Sequence, residues 1–178
     1  MRPPPGFQQV APITAPFPAR DGDASGRTLS AAELGQLVRA TAGDRATWLP
    51  VARFTPQRRW FHRLALTADY EIWLLTWLPG QHTGFHDHGS ASGAFAVAHG
   101  ELREALASLG RSRVRHRTAV AGSVTSFGGR HLHDVGNISA APAVSVHAYS
   151  PPLSAMRRYE MTSSGLVLVR TERAELDW

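Results

Sequence analysis

Apolar residues recur along this chain at two different periods. Between 31 and 43 the spacing is helical: Leu34, Leu37 and Val38 make one stripe, Ser30 stands where an N-cap belongs, Glu33 follows at capping-box spacing, and Gly43 offers a stop. From about residue 61 the texture changes to short apolar or alternating runs separated by Gly, Pro, Asn and Asp. These predict strands over 61–67, 71–77, 92–99, 101–107, 114–120, 123–127, 131–137, 143–149 and 166–171. Many short strands with turn signals point to an all-β sandwich or barrel, here with a short N-terminal helical segment. Residues 1–28 are rich in Pro, Gly, Ala and Asp and carry no hydrophobic period, so a flexible or irregular arm is expected there. Residues 29–178 are read as a single domain, with no internal repeat.

Composition narrows the chemistry. A chain of 178 residues is long enough for one domain with a real core. It has no cysteine and nine histidines, which excludes disulfides, thiolate zinc sites and a cysteine nucleophile. A bound metal would have to be held by imidazole and carboxylate. The longest uncharged apolar run, Ile72 to Leu78, is far shorter than the ~20 residues that cross a bilayer. No signal-peptide core follows Met1, so a cytoplasmic protein with no membrane partner is expected.

Charge adds one question. All 19 basic residues are arginine, and against 14 acidic residues they leave a formal charge of +5. The densest run, Arg111, Arg113, Arg115 and Arg117, shares one parity and would line one face of a strand. It is read as a solvated outer face. No helix-turn-helix, zinc finger or aromatic-plus-basic RNA motif supports a nucleic-acid partner.

Two segments carry the candidate chemistry. In the first, His86 and His88 stand two apart, so on a strand they point to the same side, roughly 6–7 Å from each other. Two imidazoles that close can share a metal, and His133, in the second segment, can supply a third ligand from a neighbouring strand. Three ligands on one face leave positions open for substrate, as a catalytic site requires. Farther on, Ser145, His147 and Tyr149 also share one strand face. Their order suggests a relay in which serine orients histidine and histidine orients the tyrosine hydroxyl. His82, His99, His116 and His131 show no clear partner and are read as structural or solvated.

The two histidine segments resemble the motifs of the cupin superfamily. Gly80, His86, His88, Gly93 and Gly100 fit the first motif without a gap, with Gly93 where its glutamate belongs. Gly122, Gly128, Arg130, His133 and Asn137 fit the second, with Gly128 for its proline and Arg130 for its glycine. The resemblance implies a small double-stranded β-helix, or jelly-roll barrel. Without the glutamate the ligand set is three neutral imidazoles, which leaves a divalent metal its full charge and favours an anionic exogenous ligand such as a thiolate.

His86-Asp87-His88, Leu132 to Asn137, and Ser145-Val146-His147-Ala148-Tyr149-Ser150-Pro151-Pro152 together resemble the cysteine dioxygenase family of thiol dioxygenases, over roughly Arg53 to Thr171. That resemblance implies Fe(II) held by His86, His88 and His133, a small thiol and O2 as partners, and oxidation of L-cysteine to cysteine sulfinic acid. Tyr149, His147 and Ser145 would be the catalytic group. Arg63 in Phe61-His62-Arg63 matches the position that binds the substrate carboxylate, although a slip of one residue would turn His62 inward instead. Phe61 replaces the family's tyrosine. Gly93 matches the cysteine that crosslinks to tyrosine in some members, and no crosslink can form here. A cis bond at Ser150-Pro151 is implied as well. Open alternatives are another small thiol such as 3-mercaptopropionate, or a non-catalytic metal-binding cupin that acts as a sensor. A monomer or weak oligomer is expected.

Overall fold

The structure, a computed structural model, describes residues 26–111 and 113–173. The predicted helix is α1 (Ala31–Gly43), with both arms of the Ser30–Glu33 capping box formed. Asp44 caps its end and also opens a four-residue helix, α2 (Arg45–Trp48). Eleven strands follow among the described residues: β1 (Trp60–Leu66), β2 (Glu71–Trp77), β3 (Phe85–Asp87), β4 (Ser92–His99), β5 (Glu101–Ala107), β6 (Arg115–Val120), β7 (Val124–Phe127), β8 (Leu132–Gly136), β9 (Ala143–Ser150), β10 (Ala155–Thr162) and β11 (Gly165–Arg173). All nine predicted strands are present, and β3 and β10 are additional. The arm expected over 1–28 falls outside the described residues up to 25. Its last part is tied down, because the Arg27 backbone N–H donates to Asp69 Oδ1 at 2.6 Å.

The strands form two antiparallel sheets, ordered β1-β2-β9-β4-β7 and β11-β10-β3-β8-β5-β6. The fold is the all-β cupin expected, a jelly-roll barrel with a helix near its N-terminus. Strands β2 and β9 are buried along their whole length because both faces are covered. On the barrel side Trp73, Leu75, Trp77 and Tyr149 join Phe95, Phe127 and Met156. On the other side Ile72, Leu74, Val144, Val146 and Ala148 pack under α1 through Leu34, Leu37 and Val38. Each large aliphatic side chain among them contributes about 1.5–3 kcal/mol when fully removed from water.

Strand β3 is held differently. It is three residues long and stops at both ends, with Gly84 at φ 70° and Gly89 at φ 62°. Polar contacts fix it. Asp87 accepts from Tyr159 Oη at 2.7 Å and from Arg157 Nε at 3.0 Å, both on β10. The Ser150-Pro151 bond is cis, as the resemblance implied.

The arginine run is exposed to solvent as expected, but not on the sheet's outer face. Arg115 and Arg117 pair in register with Leu106 and Glu104, and Ala119 with Leu102, so this parity faces inward at the sheet edge. The reason is local. Strand β6 is an edge strand whose inner face runs out beyond the core, so charged side chains there still reach water.

Candidate active site

Strands β3 and β8 pair with His86 directly opposite His133. His88 completes a cluster whose ligand atoms all lie within 4.8 Å of one another. The three rings are 1–3% exposed. Burial is the main cause that holds all three imidazoles below their ordinary 6.5, His86 and His88 well below, and mutual repulsion adds to it at His86 and His88. They are therefore neutral at physiological pH and ready to ligate. His86 Nδ1–H donates to the Gly84 carbonyl at 2.9 Å, and His133 Nδ1–H donates to Glu104 Oε1 at 2.6 Å. Each keeps Nε2 for a metal. Both ring nitrogens of His88 are buried without a hydrogen-bond partner. A buried imidazole left so is costly unless a cation takes the lone pair, and the donor set fits a divalent metal.

The relay residues line the inner face of β9. Trp77 Nε1–H donates to Ser145 Oγ at 2.9 Å, and Ser145 Oγ lies 2.8 Å from His147 Nε2. Indole only donates, and Ser145 is fully buried, so the serine proton goes to His147 Nε2. His147 then carries its proton on Nδ1 and presents it to Tyr149 Oη, 3.5 Å away, the long end of hydrogen-bond range. Tyr149 thus keeps its own proton as a donor. Its phenol is pushed far above 10 by burial first and by the Glu71 charge second. Burial likewise keeps His147 neutral. The Tyr149 ring stacks on His88, centroids 4.8 Å apart, which joins relay and histidine cluster.

Arg63 is on the inward parity of β1, opposite Trp73. Its guanidinium lies over the Trp73 ring at 5.3 Å, and Nη1 is 4.0 Å from Glu71 Oε2. His62 lies on the other parity, so the slipped register does not occur. The sequence reading missed Arg59. It is 7% exposed, lies 4.6 Å over the Trp77 ring, donates from Nη1 to the His82 carbonyl at 3.1 Å, and has a buried Nε–H without partner. Burial, then repulsion from Arg158, lowers its pKa to about 10, so it is still charged at pH 7. Its charge is felt at His86, His147 and Tyr149. Arg59 shares parity with Phe61 and Arg63, which was the available signal.

Glu104 was missed too. It is fully buried, and its carboxylate accepts from His133, from His131 Nε2 at 2.8 Å, and from Arg117 Nε. Burial alone would raise its pKa, but these three donors outweigh it and hold the carboxyl well below the usual range. His131, expected to lack a partner, has this one and stacks on Phe127 at 4.2 Å. His82 likewise has Asp134 at 3.2 Å.

Residues 24–162 match the family described as cysteine dioxygenase type I. The chain belongs to that family. It is 27% identical to human cysteine dioxygenase type 1 over 149 residues, 76% of this chain and 72% of the human one. The zebrafish (Danio rerio) enzyme of the same name is 24% identical over 147 residues, 75% of this chain and 71% of that one. A solved structure from Thermus thermophilus superposes with a TM-score of 0.52 at 20% identity, covering 58% of this chain and 93% of that one, a likeness of fold alone.

Within this cysteine dioxygenase family member, Gly93 has a steric reason. A Cβ there would lie 2.4 Å from Phe127 and 2.9 Å from Tyr149, so the two rings already fill the space a side chain would need. Asn137 of the second cupin motif is a scaffold residue. Its amide donates to the Trp77 carbonyl at 3.2 Å and to the Ala141 carbonyl at 2.7 Å. No helix among the described residues is long and apolar enough to cross a membrane.

Proposed function

We propose that this protein is an Fe(II)-dependent thiol dioxygenase with L-cysteine as first-choice substrate. The observation that carries the reading is His88, whose two ring nitrogens are buried without partners between neutral His86 and His133 and beneath the Tyr149 ring. His86, His88 and His133 would hold the iron, which when bound supplies the redox centre where thiol and dioxygen meet. The overall change is RSH + O2 → RSO2⁻ + H⁺. Sulfur loses four electrons, dioxygen gains them, and no external reductant enters.

The chain's own groups do the positioning. We assign the substrate carboxylate to Arg59 rather than to Arg63, because the Arg59 Nε–H is buried without a partner and its charge acts on His86, His147 and Tyr149, while Arg63 leans on Trp73 toward Glu71. Tyr149 holds its proton on the reacting side and donates a hydrogen bond there. His147, Ser145 and Trp77 fix the orientation of that donor. Near-complete burial of the cluster excludes water.

The test is anaerobic Fe(II) loading followed by oxygen uptake and product mass with L-cysteine, 3-mercaptopropionate and cysteamine. A sulfinate with two added oxygens is expected. No uptake with any thiol overturns the reading. Arg59→Gln is expected to raise KM about 10–100-fold for the two carboxylate thiols and to leave cysteamine unchanged, the size of one lost charge-assisted interaction. An equal effect on all three removes Arg59 from the carboxylate.

A further inference from the structure

The inward arginines of β6 open a second site. A groove of about 790 Å³ lies at the sheet edge, and Arg111, Arg113, Arg115, Arg117 and Arg130 line it together with His131. Its size is that of a small-molecule site. Arg115 and Arg117 project from the inner face of β6, and Arg130 comes from the β7–β8 turn across the gap. Among the described residues, no carboxylate pairs with Arg111, Arg113, Arg115 or Arg130. Among the described residues, the acid that reaches these arginines is Glu104, which is fully buried and committed to Arg117 and two histidines. The stacked Phe127 and His131 rings separate the groove from His88 and His133.

From this we propose that the groove binds a small polyphosphate anion, of the size and charge of a nucleoside diphosphate. Four guanidiniums without an acid partner, beside the Glu104-paired Arg117, repel each other around one concavity, and an anion that neutralises several of them relieves that repulsion. Guanidinium forks match phosphate oxygens bidentately, and each phosphate presents several acceptors. The volume exceeds what a single inorganic phosphate fills, so two linked phosphates plus an organic body suit it. Arg117 makes the site more than a surface patch, since it links the groove through Glu104 to the His133 ring.

The experiment is calorimetric titration of the full-length, iron-loaded protein at near-physiological salt with ADP, inorganic pyrophosphate, citrate and a single-stranded oligonucleotide. Saturable binding of ADP and pyrophosphate at one site is expected, with citrate at least tenfold weaker and the oligonucleotide no tighter than pyrophosphate. Arg115→Gln and Arg130→Gln, both at exposed positions, are each expected to weaken ADP about tenfold with unchanged melting temperature. Arg103→Gln, on the opposite face of the same sheet, is expected to leave binding unchanged. Absence of saturable binding by ADP and pyrophosphate overturns the proposal. So does equal affinity for citrate, tighter binding of the oligonucleotide, or binding indifferent to Arg115 and Arg130 but sensitive to Arg103.

Discussion

The two sheets place their functional side chains by opposite means. In the five-stranded sheet the relay stands on β9, a strand buried on both faces under a helix. There the position of Ser145, His147 and Tyr149 follows from alternation along a rigid backbone. In the six-stranded sheet His86 stands on a three-residue strand and His88 just past its end. Here polar contacts do the holding: Asp87 to Tyr159 and Arg157, and Glu104 to His133. Hydrophobic burial is non-directional and secures a strand, whereas charge-assisted hydrogen bonds fix a ring's orientation. A metal ligand needs the second kind of control, because the angle of its lone pair matters.

Perturbing each side separately tests that contrast. His88→Ala removes the unpartnered imidazole and leaves the Trp77–Ser145–His147 hydrogen bonds in place. Tight iron binding and oxygen uptake are both expected to vanish, a loss of at least ~10³ in rate, read by metal analysis and an oxygen electrode. Retained stoichiometric iron would mean the ligands lie elsewhere.

Acid acts on both sides at once. His86, His88, His133 and His147 sit below 6.5 in the folded protein, while in the unfolded chain they titrate near that value. Below pH 6.5 the unfolded state therefore binds more protons. The stability these groups contribute is fully present above 6.5 and is lost as pH falls toward their folded values, by about 1.4 kcal/mol per pH unit for each proton of difference. The melting temperature of metal-free protein should fall steeply below pH 6.5. A flat profile there would mean that the rings are not neutral.

Glu104→Gln probes the polar side alone. The amide nitrogen would face Arg117 Nε, two donors together, and the hold on His133 would slacken. Metal affinity is expected to drop about 10–100-fold in a chelator competition. Trp77→Phe is the smallest change, one indole N–H lost to Ser145. The turnover rate should fall about two- to tenfold with metal affinity unchanged. A larger effect on metal than on turnover would erase the distinction between the two sheets.

The sheet covered on both sides was the easier to read. Strands β2 and β9 announce themselves as unbroken apolar or alternating runs. Strand β10 did not. A bulge between Arg158 and Tyr159 shifts the register, so the buried Met156 and Tyr159 are three apart and break the period of two. Strand β3 is too short to show any period, although its histidines were legible as a spacing. Glu104 lay in plain view between Leu102 and Leu106 on the buried parity, an acid in an apolar row. Its role depends on Arg117 and His131, which lie 13 and 27 residues away. Arg59 precedes its strand, so its parity with Phe61 and Arg63 was a faint signal, and its packing on Trp77 is what shows that it turns inward.

The close approach of Phe127 and Tyr149 to Gly93 also orders the mutational paths open to this chain. A carboxylate or thiol at position 93 would have to displace one of the two rings, because a Cβ there meets Phe127 at 2.4 Å and Tyr149 at 2.9 Å. Moving or truncating Phe127 would make that room, and it would also disturb the ring that stacks on His88 and His131. Position 93 and Phe127 are therefore coupled, and a larger residue at the first is expected to call for a smaller one at the second.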